Sequence, residues 1–399
     1  MTATTASPVG HSLPLLDAAL RARMLLVATV ALVAHAGSLR TLADGGTDWT
    51  FFTWGAQALS GGQGDFSLNG TWFPGDAPGG LSLYANYPFL QIGPPSILLA
   101  TALRLASDDG LYLASAIVVG LGLFVILLLD RAFDDGSQGR RVTLLIGGAA
   151  TAVSWVFLAR FVHLDDALTL AAAIGACMAL LRQHWIAVGL LGGFAAASKP
   201  WGVVAVALVL AAPTWRTRTR AGVVAIIVIL VFWGPFVLAD PGTLALGGVR
   251  LRVTPDSVPA LLGIDTIAIN GPLRLAQMCG GLLIASMLVL RGRWQLALAA
   301  AFAWRLLLDP APYSYYFAGL VTAALIVDLS VLRRSLPLLS LGVLMTLFAA
   351  SASENITVQG VLHLVSFGGV LLVCCGLACA PRPDTPARTA PVATAATPS

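Results

Sequence analysis

Long apolar segments follow one another along this chain, and short stretches between them hold most of the charged residues. Because a helix needs about 20 apolar residues to cross a bilayer, this pattern predicts an all-α polytopic membrane protein. The expected count is about 12 transmembrane helices, with a range of roughly 11 to 13. After a first span at about 24–42, spans are predicted at 142–159, 167–181, 185–198, 200–213, 221–239, 273–290, 294–308, 313–329, 336–351 and 358–380.

Two regions leave alternatives open. Segments 91–106 and 111–130 are both apolar, but the arginines that follow them indicate that only one crosses completely and that the other lies along the outer surface. The segments on either side of Lys199-Pro200 are short for full spans. They form either a helical hairpin or one helix kinked at Pro200.

Composition and charge narrow the class. With 57% hydrophobic and 11% charged residues, a soluble globular fold is excluded. The net charge of +4 does not indicate a nucleic-acid partner, because the arginines are scattered over short loops and form no single basic patch. They flank alternate loops, for example at Arg140, Arg182 and Arg218, as the positive-inside rule predicts for cytoplasmic ends. We therefore expect a multi-pass plasma-membrane protein.

The chain divides into a core and two tails. We expect residues 1–20 to be a cytoplasmic tail, 21–380 a transmembrane core with outward loops 43–90 and 240–272, and 381–399 a disordered cytoplasmic tail rich in Pro, Ala and Thr. The five cysteines lie in apolar stretches without metal-site or disulfide spacing, and no glycine-rich phosphate loop occurs. The sequence therefore predicts neither a cysteine metal site nor a cofactor, and nucleotide hydrolysis has no support.

Asp48 is the first candidate for chemistry. It follows the first span in the aromatic stretch Asp48-Trp49-Thr50-Phe51-Phe52, on the face that the arginines assign as outward. A carboxylate in such surroundings can act as a general base. The alternative is a solvated loop acid or the N-cap of an interfacial helix.

Lys199 is the only lysine of the chain and stands between two apolar segments. A cation at membrane depth usually faces a cavity or a partner, and an ammonium can bind the phosphate of a lipid. The alternative is a lysine that snorkels to the headgroups.

Other outward candidates lie in three loops. After Arg160 come His163, Asp165 and Asp166, which could bind sugar hydroxyls, orient the histidine or hold a divalent cation, or could simply cap the next helix. Arg250 and Arg252 point to one side of an extended segment and could bind a phosphate or be attracted to headgroups. The rim formed by Asp309, Tyr313, Tyr315 and Tyr316 is typical of sugar contacts and equally of an interfacial aromatic belt.

Three motifs together resemble a known family. They are Asp48 to Phe52, Tyr84-Ala85-Asn86-Tyr87-Pro88 leading to Pro94-Pro95, and Gly189 to Pro200 ending in Ser198-Lys199-Pro200. In order and spacing they resemble the C-type glycosyltransferase (GT-C) fold with a long first extracytoplasmic loop, and within it the actinobacterial polyprenyl-phosphate-mannose-dependent transferases of glycosyltransferase family 87. The chain departs from that pattern at Phe51 and Phe52, where a tyrosine often follows the acid, and in its cluster at 163–166.

The resemblance implies inverting transfer of a sugar, with mannose as the first candidate, from a polyprenyl-phosphate donor to a glycolipid or glycan acceptor at the outer membrane face. Asp48 would be the general base, with no metal required. Lys199, Arg250 and Arg252 would bind the donor phosphate. The residues implied in substrate binding are Tyr84, Tyr87, Arg160, His163, Asp165 and Asp166.

Other functions remain open on the sequence. An arabinofuranosyl or other pentosyl transferase of the same fold would use the same kind of lipid carrier. A multi-span transporter or lipid flippase would also need about 12 spans and ionisable residues that face a cavity. A non-catalytic membrane subunit is the third alternative.

Overall fold

A computed structural model describes residues 14–43, 48–61, 66–68, 71–73, 79–87, 90–106, 110–248, 253–264 and 271–381. Its α-helices are α1 (Pro14–Arg21), α2 (Arg23–Ala43), α3 (Trp49–Leu59), α4 (Leu83–Asn86), α5 (Pro94–Ala106), α6 (Gly110–Phe133), α7 (Gln138–Phe161), α8 (Leu164–Leu181), α9 (Trp185–Ser198), α10 (Trp215–Ala239), α11 (Val258–Leu261), α12 (Gly271–Leu290), α13 (Ala297–Leu307), α14 (Phe317–Val327), α15 (Leu338–Ala352) and α16 (Ile356–Cys379). Five 3₁₀ helices lie at Gly80–Ser82, Pro200–Ala211, Pro241–Gly248, Trp294–Leu296 and Ser314–Tyr316, and a π-helical turn at Asp328–Leu332 continues α14. Two short antiparallel strands, β1 (Phe66–Leu68) and β2 (Thr71–Phe73), pair Phe66 with Phe73.

The protein is a helical bundle consistent with a polytopic membrane protein. Within the described residues, seven helical segments are long and apolar enough to cross a membrane. Shorter apolar helices accompany them, including α9 and the 3₁₀ helix Pro200–Ala211. Many large apolar side chains on the outside of the bundle are exposed, among them Leu25, Val231 and Leu372, at 63–74%. Such a surface is suited to lipid contact.

Charged side chains tie several helices together at one end of the bundle, which we call the arginine end. Arg23 at the start of α2 forms ion pairs of 2.6 Å with Asp130 and 2.5 Å with Asp134, at the end of α6. Arg141 at the start of α7 reaches Asp134 at 3.4 Å. The Thr143 hydroxyl donates to the Arg334 carbonyl oxygen at 2.8 Å, so the turn after α14 also lies at this end.

The chain forms a hairpin at Lys199 and not a single kinked helix. The Lys199 backbone is extended (φ −154°, ψ 136°), and Pro200 begins the following 3₁₀ helix. A Cβ on Gly202 would lie 2.2 Å from the Ala195 carbonyl oxygen, and one on Gly192 would lie 3.2 Å from that of Ala205. These close approaches show two antiparallel segments in backbone contact.

Both ends of α5 lie at the end of the bundle that carries this hairpin. Before α5, the Gly93 amide donates to the Ser198 carbonyl oxygen at 3.0 Å. After α5, Gly110 packs against the Trp49 ring so closely that a Cβ there would be 2.9 Å from it. Of the two apolar segments in question, α6 therefore runs the length of the bundle and α5 does not.

The stretch 43–90, predicted as a loop, contains more regular structure than the sequence indicates. The stretch 43–90 holds the 11-residue helix α3, both strands and α4. Trp49, Phe52 and Trp54 of α3 are buried, so the aromatic residues anchor this helix on the bundle.

Helices α9 and α10 approach closely through small residues. A Cβ on Gly189 would lie 2.1 Å from the Ala221 carbonyl oxygen, and one on Gly193 would lie 2.5 Å from that of Ala225. Small residues four apart on both helices permit this backbone contact, as in small-xxx-small packing between membrane helices.

Gly189→Ala should destabilise the protein by about 1–3 kcal/mol, because the new methyl group meets backbone and not a movable side chain. Thermal unfolding in detergent would measure the loss. Gly222→Ala is the matched control, since nothing lies within 4 Å of its Cβ position on the same helix pair. Equal melting temperatures for the two variants would contradict the close packing.

Candidate functional site

Asp48 lies at the end of the bundle opposite the arginine end, immediately before α3. Its backbone amide donates to the Phe161 carbonyl oxygen at 3.0 Å, which joins this segment to the end of α7. Its side chain makes no capping hydrogen bond, so the N-cap alternative does not describe its contacts. One third of the side chain (33%) is exposed.

His163 contacts Asp48 through Nε2. The turn between α7 and α8 places it there: Val162 adopts a left-handed conformation (φ 55°), and the His163 amide donates to the Leu158 carbonyl oxygen at 2.9 Å. This resembles the Schellman motif that ends many helices, although a β-branched residue rarely adopts that conformation. The His163 ring stacks on Tyr315 with 3.5 Å between ring centroids.

Two buried carboxylates flank the other side of the histidine. His163 Nδ1 lies 3.5 Å from Asp165 and 3.3 Å from Asp166. Both carboxylates are in the first turn of α8, where the helix dipole favours negative charge, and both side chains are 2% exposed. They orient the histidine, one of the roles that the sequence left open.

Lys199 pairs with the same two carboxylates. Its Nζ lies 2.9 Å from Asp165 and 2.5 Å from Asp166, and Trp201 Nε1 donates to Asp166 at 3.0 Å. With 8% of the residue exposed, Lys199 is a buried ion-pair partner. It does not snorkel, and its charge is already balanced. Of the two alternatives in the sequence analysis, snorkelling does not describe its contacts, and its partners are carboxylates of the chain.

The charges of this cluster do not cancel. Burial disfavours the imidazolium, but the contacts with Asp165, Asp166 and Asp48 outweigh it and raise the pKa of His163 well above its ordinary value. With His163 protonated, the three carboxylates face two cations, and one negative charge is in excess. Asp48 is the exposed member of the set, so this charge is accessible at the surface.

The raised pKa predicts the pH dependence of stability. A folded-state pKa above the unfolded value means that protonated His163 contributes fully below about pH 6.5, and that the contribution is lost as the pH rises through the folded value. We expect the difference in melting temperature between the wild type and His163→Gln to shrink from neutral to alkaline pH. A difference that is constant or grows with pH would show that His163 is neutral.

Arg305, Asp309 and Tyr316 form a second polar group beside the cluster. Arg305 of α13 lies 3.5 Å from Asp309, and its guanidinium stacks 4.1 Å from the Tyr316 ring centroid. Arg305 was missed in the sequence analysis. The signal was present, because an arginine inside an apolar span is by default a functional candidate.

The other predicted residues are placed differently. Tyr84 is fully buried, and its hydroxyl donates to the Ile92 carbonyl oxygen at 2.8 Å, so it is not presented to a substrate. Tyr87 is also buried, edge-on to Trp54. Arg160 is exposed at the end of α7. Arg250 and Arg252 lie outside the described residues.

A metal does not fit the cluster as it stands. His163, Asp165 and Asp166 have ligand atoms within 4.8 Å of one another, the one such group within the described residues. However, the Lys199 ammonium lies 2.5 Å from Asp166, where it neutralises the carboxylates that a cation would need.

Comparison of this chain with protein-family models, with curated proteins and with solved structures found no match.

Proposed function

We propose that this chain is a membrane glycosyltransferase. It moves a sugar, with mannose as the first candidate, from a polyprenyl-phosphate donor to a glycolipid or glycan acceptor at the extracytoplasmic face. The observation that carries the proposal is the partly exposed carboxylate of Asp48, in contact with a buried cluster of His163, Asp165, Asp166 and Lys199.

Asp48 serves as the general base. The acceptor hydroxyl oxygen attacks the anomeric carbon and forms the new glycosidic bond, while the bond from that carbon to the phosphate oxygen breaks. The electron pair leaves with polyprenyl phosphate, and the hydroxyl proton passes to Asp48. Attack on the side opposite the phosphate inverts the configuration of the anomeric carbon.

The buried residues hold the base in place. His163 contacts Asp48 and is itself fixed by Asp165, Asp166 and the Tyr315 ring. This order, with the base held by a second group and that group held by a third, is the usual arrangement of catalytic side chains.

The donor phosphate needs a cation other than Lys199, whose charge is already paired. Arg160 is exposed at the same end of the bundle, on the last turn of α7. The next residue, Phe161, accepts a hydrogen bond from the Asp48 backbone amide through its carbonyl oxygen. We propose that Arg160 meets the phosphate, together with the predicted partners Arg250 and Arg252.

Twelve traversals with the GT-C arrangement are the topology that we propose. The arginine end is then cytoplasmic, by the positive-inside rule, and the end with Asp48 is extracytoplasmic. Contacts of α12 support a helix that runs from one end of the bundle to the other. Arg274, near its start, donates to Gln91 beside the Lys199 hairpin. Arg293, just after its end, donates to the Ala380 carbonyl oxygen after α16.

The test is sugar transfer in membranes that contain the protein. Radiolabelled polyprenyl-phosphate mannose and a mixed glycolipid extract are supplied, with membranes that lack the protein as the control. Labelled glycolipid that forms only with the protein is expected. If no product forms, a polyprenyl-phosphate arabinofuranose donor tests the pentosyl alternative, and failure with both donors contradicts the proposal.

Transport is the second candidate, and one observation favours it. Ionisable groups buried in a helical bundle, such as Asp166, Lys199 and Arg305, also occur in proton-coupled transporters. Protein-dependent movement of a polyprenyl-phosphate lipid across reconstituted vesicles, without sugar transfer, would support this function.

A further inference from the structure

A second polar cavity opens at the same end of the bundle, beside the Asp48 cluster. It has a volume of about 240 Å³ and lies between the segment before α11 and helices α14, α15 and α16. Its walls include the polar residues Thr254, Asp256, Ser314, Ser351, Gln359 and His363 and the aromatic residues Tyr313 and Phe317. None of its polar groups takes part in the reaction described above.

His363 has a defined tautomer. Its Nδ1 lies 2.8 Å from the Asp256 carbonyl oxygen, which can only accept a hydrogen bond, so Nδ1 carries the hydrogen. In the neutral imidazole, Nε2 is then an acceptor. The ring stacks on Phe367 and is 4% exposed, so its orientation is fixed by packing.

Two more groups that can accept hydrogen bonds lie on the cavity walls. The Asp256 carboxylate makes no hydrogen bond or ion pair with the described part of the chain. The Gln359 amide nitrogen donates to the Ser353 carbonyl oxygen at 2.6 Å, which fixes the amide, while its oxygen takes no hydrogen bond within the described ranges. The cavity thus offers a carboxylate and an amide oxygen that accept hydrogen bonds, beside the Nε2 atom of the His363 ring.

Hydrogen-bond acceptors combined with aromatic faces are suited to a compact polyol. Sugar hydroxyls donate hydrogen bonds, and the C–H face of a sugar ring packs on rings such as Tyr313 and Phe317. The volume of about 240 Å³ is below the range of about 300–1,000 Å³ that is usual for drug-sized ligands. A cavity of this size suits a ligand as small as a single sugar ring.

The cavity is joined to Asp48 by stacked rings. Tyr313 on its wall lies 5.3 Å from Tyr315 between ring centroids, and Tyr315 lies 3.5 Å from His163, which contacts Asp48. A sugar held here would therefore lie at the same end of the bundle as the proposed base, with the rings of Tyr315 and His163 between the cavity wall and Asp48.

We infer that this cavity binds a sugar ring of the acceptor and presents its hydroxyl to Asp48. The inference rests on the proposed function. The alternative source of sugar hydroxyls is the donor, whose sugar carries the phosphate on its anomeric carbon. Among the described residues, no lysine or arginine lines the cavity, and the Asp256 carboxylate would repel that phosphate, so the acceptor sugar is the better match.

Binding can be measured without any transfer reaction. The probe is methyl α-D-mannopyranoside, titrated against the purified full-length protein in a detergent without a sugar headgroup and followed by saturation-transfer NMR. We expect saturable binding to the wild type and to Asp48→Asn, and a dissociation constant about tenfold or more higher for Asp256→Ala. Glu354→Ala is the matched control, since it removes an exposed carboxylate from the neighbouring turn and should leave binding unchanged.

The outcomes separate the two proposals. No saturable binding to the wild type, or equal dissociation constants for the wild type and Asp256→Ala, would overturn the acceptor cavity. Binding in the expected order without any sugar transfer would uphold a sugar site and count against the transferase. Polyprenyl-phosphate mannose is the final arm, added to Asp48→Asn so that no transfer occurs: competition with the probe would assign the cavity to the donor sugar and overturn the inference, whereas simultaneous binding supports it.

Discussion

Asp48→Asn should lower the rate of sugar transfer by about 10²–10⁴-fold, the usual contribution of a general base. The amide keeps the size of the side chain but cannot take up the proton of the acceptor hydroxyl. Since the side chain is 33% exposed, folding should change little. The rate is measured with labelled lipid donor and glycolipid acceptor, and the melting temperature is measured on the same preparation.

Glu354→Gln, the same change at an exposed acid beside the cavity, is the control and should retain full activity. Asp48→Asn with wild-type turnover would eliminate the base assignment, even if the protein proved to be a transferase. A variant that lost both activity and its melting transition would be uninformative about the base, so Asp48→Glu gives a second measurement. It keeps the charge, and partial activity is expected.

Lys199→Met should destabilise the protein by about 3–5 kcal/mol, the cost of leaving a buried charge without its partner. Asp165 and Asp166, each 2% exposed, would then keep only His163 as an ion-pair partner among the described residues. A methionine fills a similar volume, so the loss reports the charge and not a cavity. Thermal unfolding of the purified variant in detergent measures it.

The double variant Lys199→Met/Asp166→Asn is the control, because it restores the charge balance of the cluster. Asparagine can still accept the hydrogen bond from Trp201 through its amide oxygen. We expect it to recover much of the lost stability. A single variant as stable as the wild type, or a double variant less stable than the single one, would show that the ion pair is not what holds this site together.

The helical core was predictable because its pattern is local. The predicted segment 142–159 lies within Gln138–Phe161, and 358–380 nearly matches Ile356–Cys379. A run of apolar residues bounded by arginines needs no knowledge of the rest of the chain. Helix α3 was not predicted, because its aromatic residues become a helical face only when they pack on the bundle.

The site was predictable as a set of candidates and not as a set of contacts. His163 and Asp48 are more than a hundred residues apart, and only the packing of α7 against the start of α3 brings them together. The same limit explains Lys199: its isolation in the sequence suggested an unpaired cation, while its ion-pair partners lie on α8. Asp256 and His363 became visible only through the cavity that they share.

The burial of Lys199 makes its reactivity a measure of whether the surrounding cluster has opened. Apart from the N-terminal amine, this ammonium is the only primary amine in the chain, and it is held between two carboxylates. An amine-reactive reagent therefore modifies Lys199 only in molecules in which its ion pairs with Asp165 and Asp166 have opened, and the fraction of molecules with one added mass counts them. Opening of this cluster can thus be followed on the native sequence, without introducing a residue to be labelled.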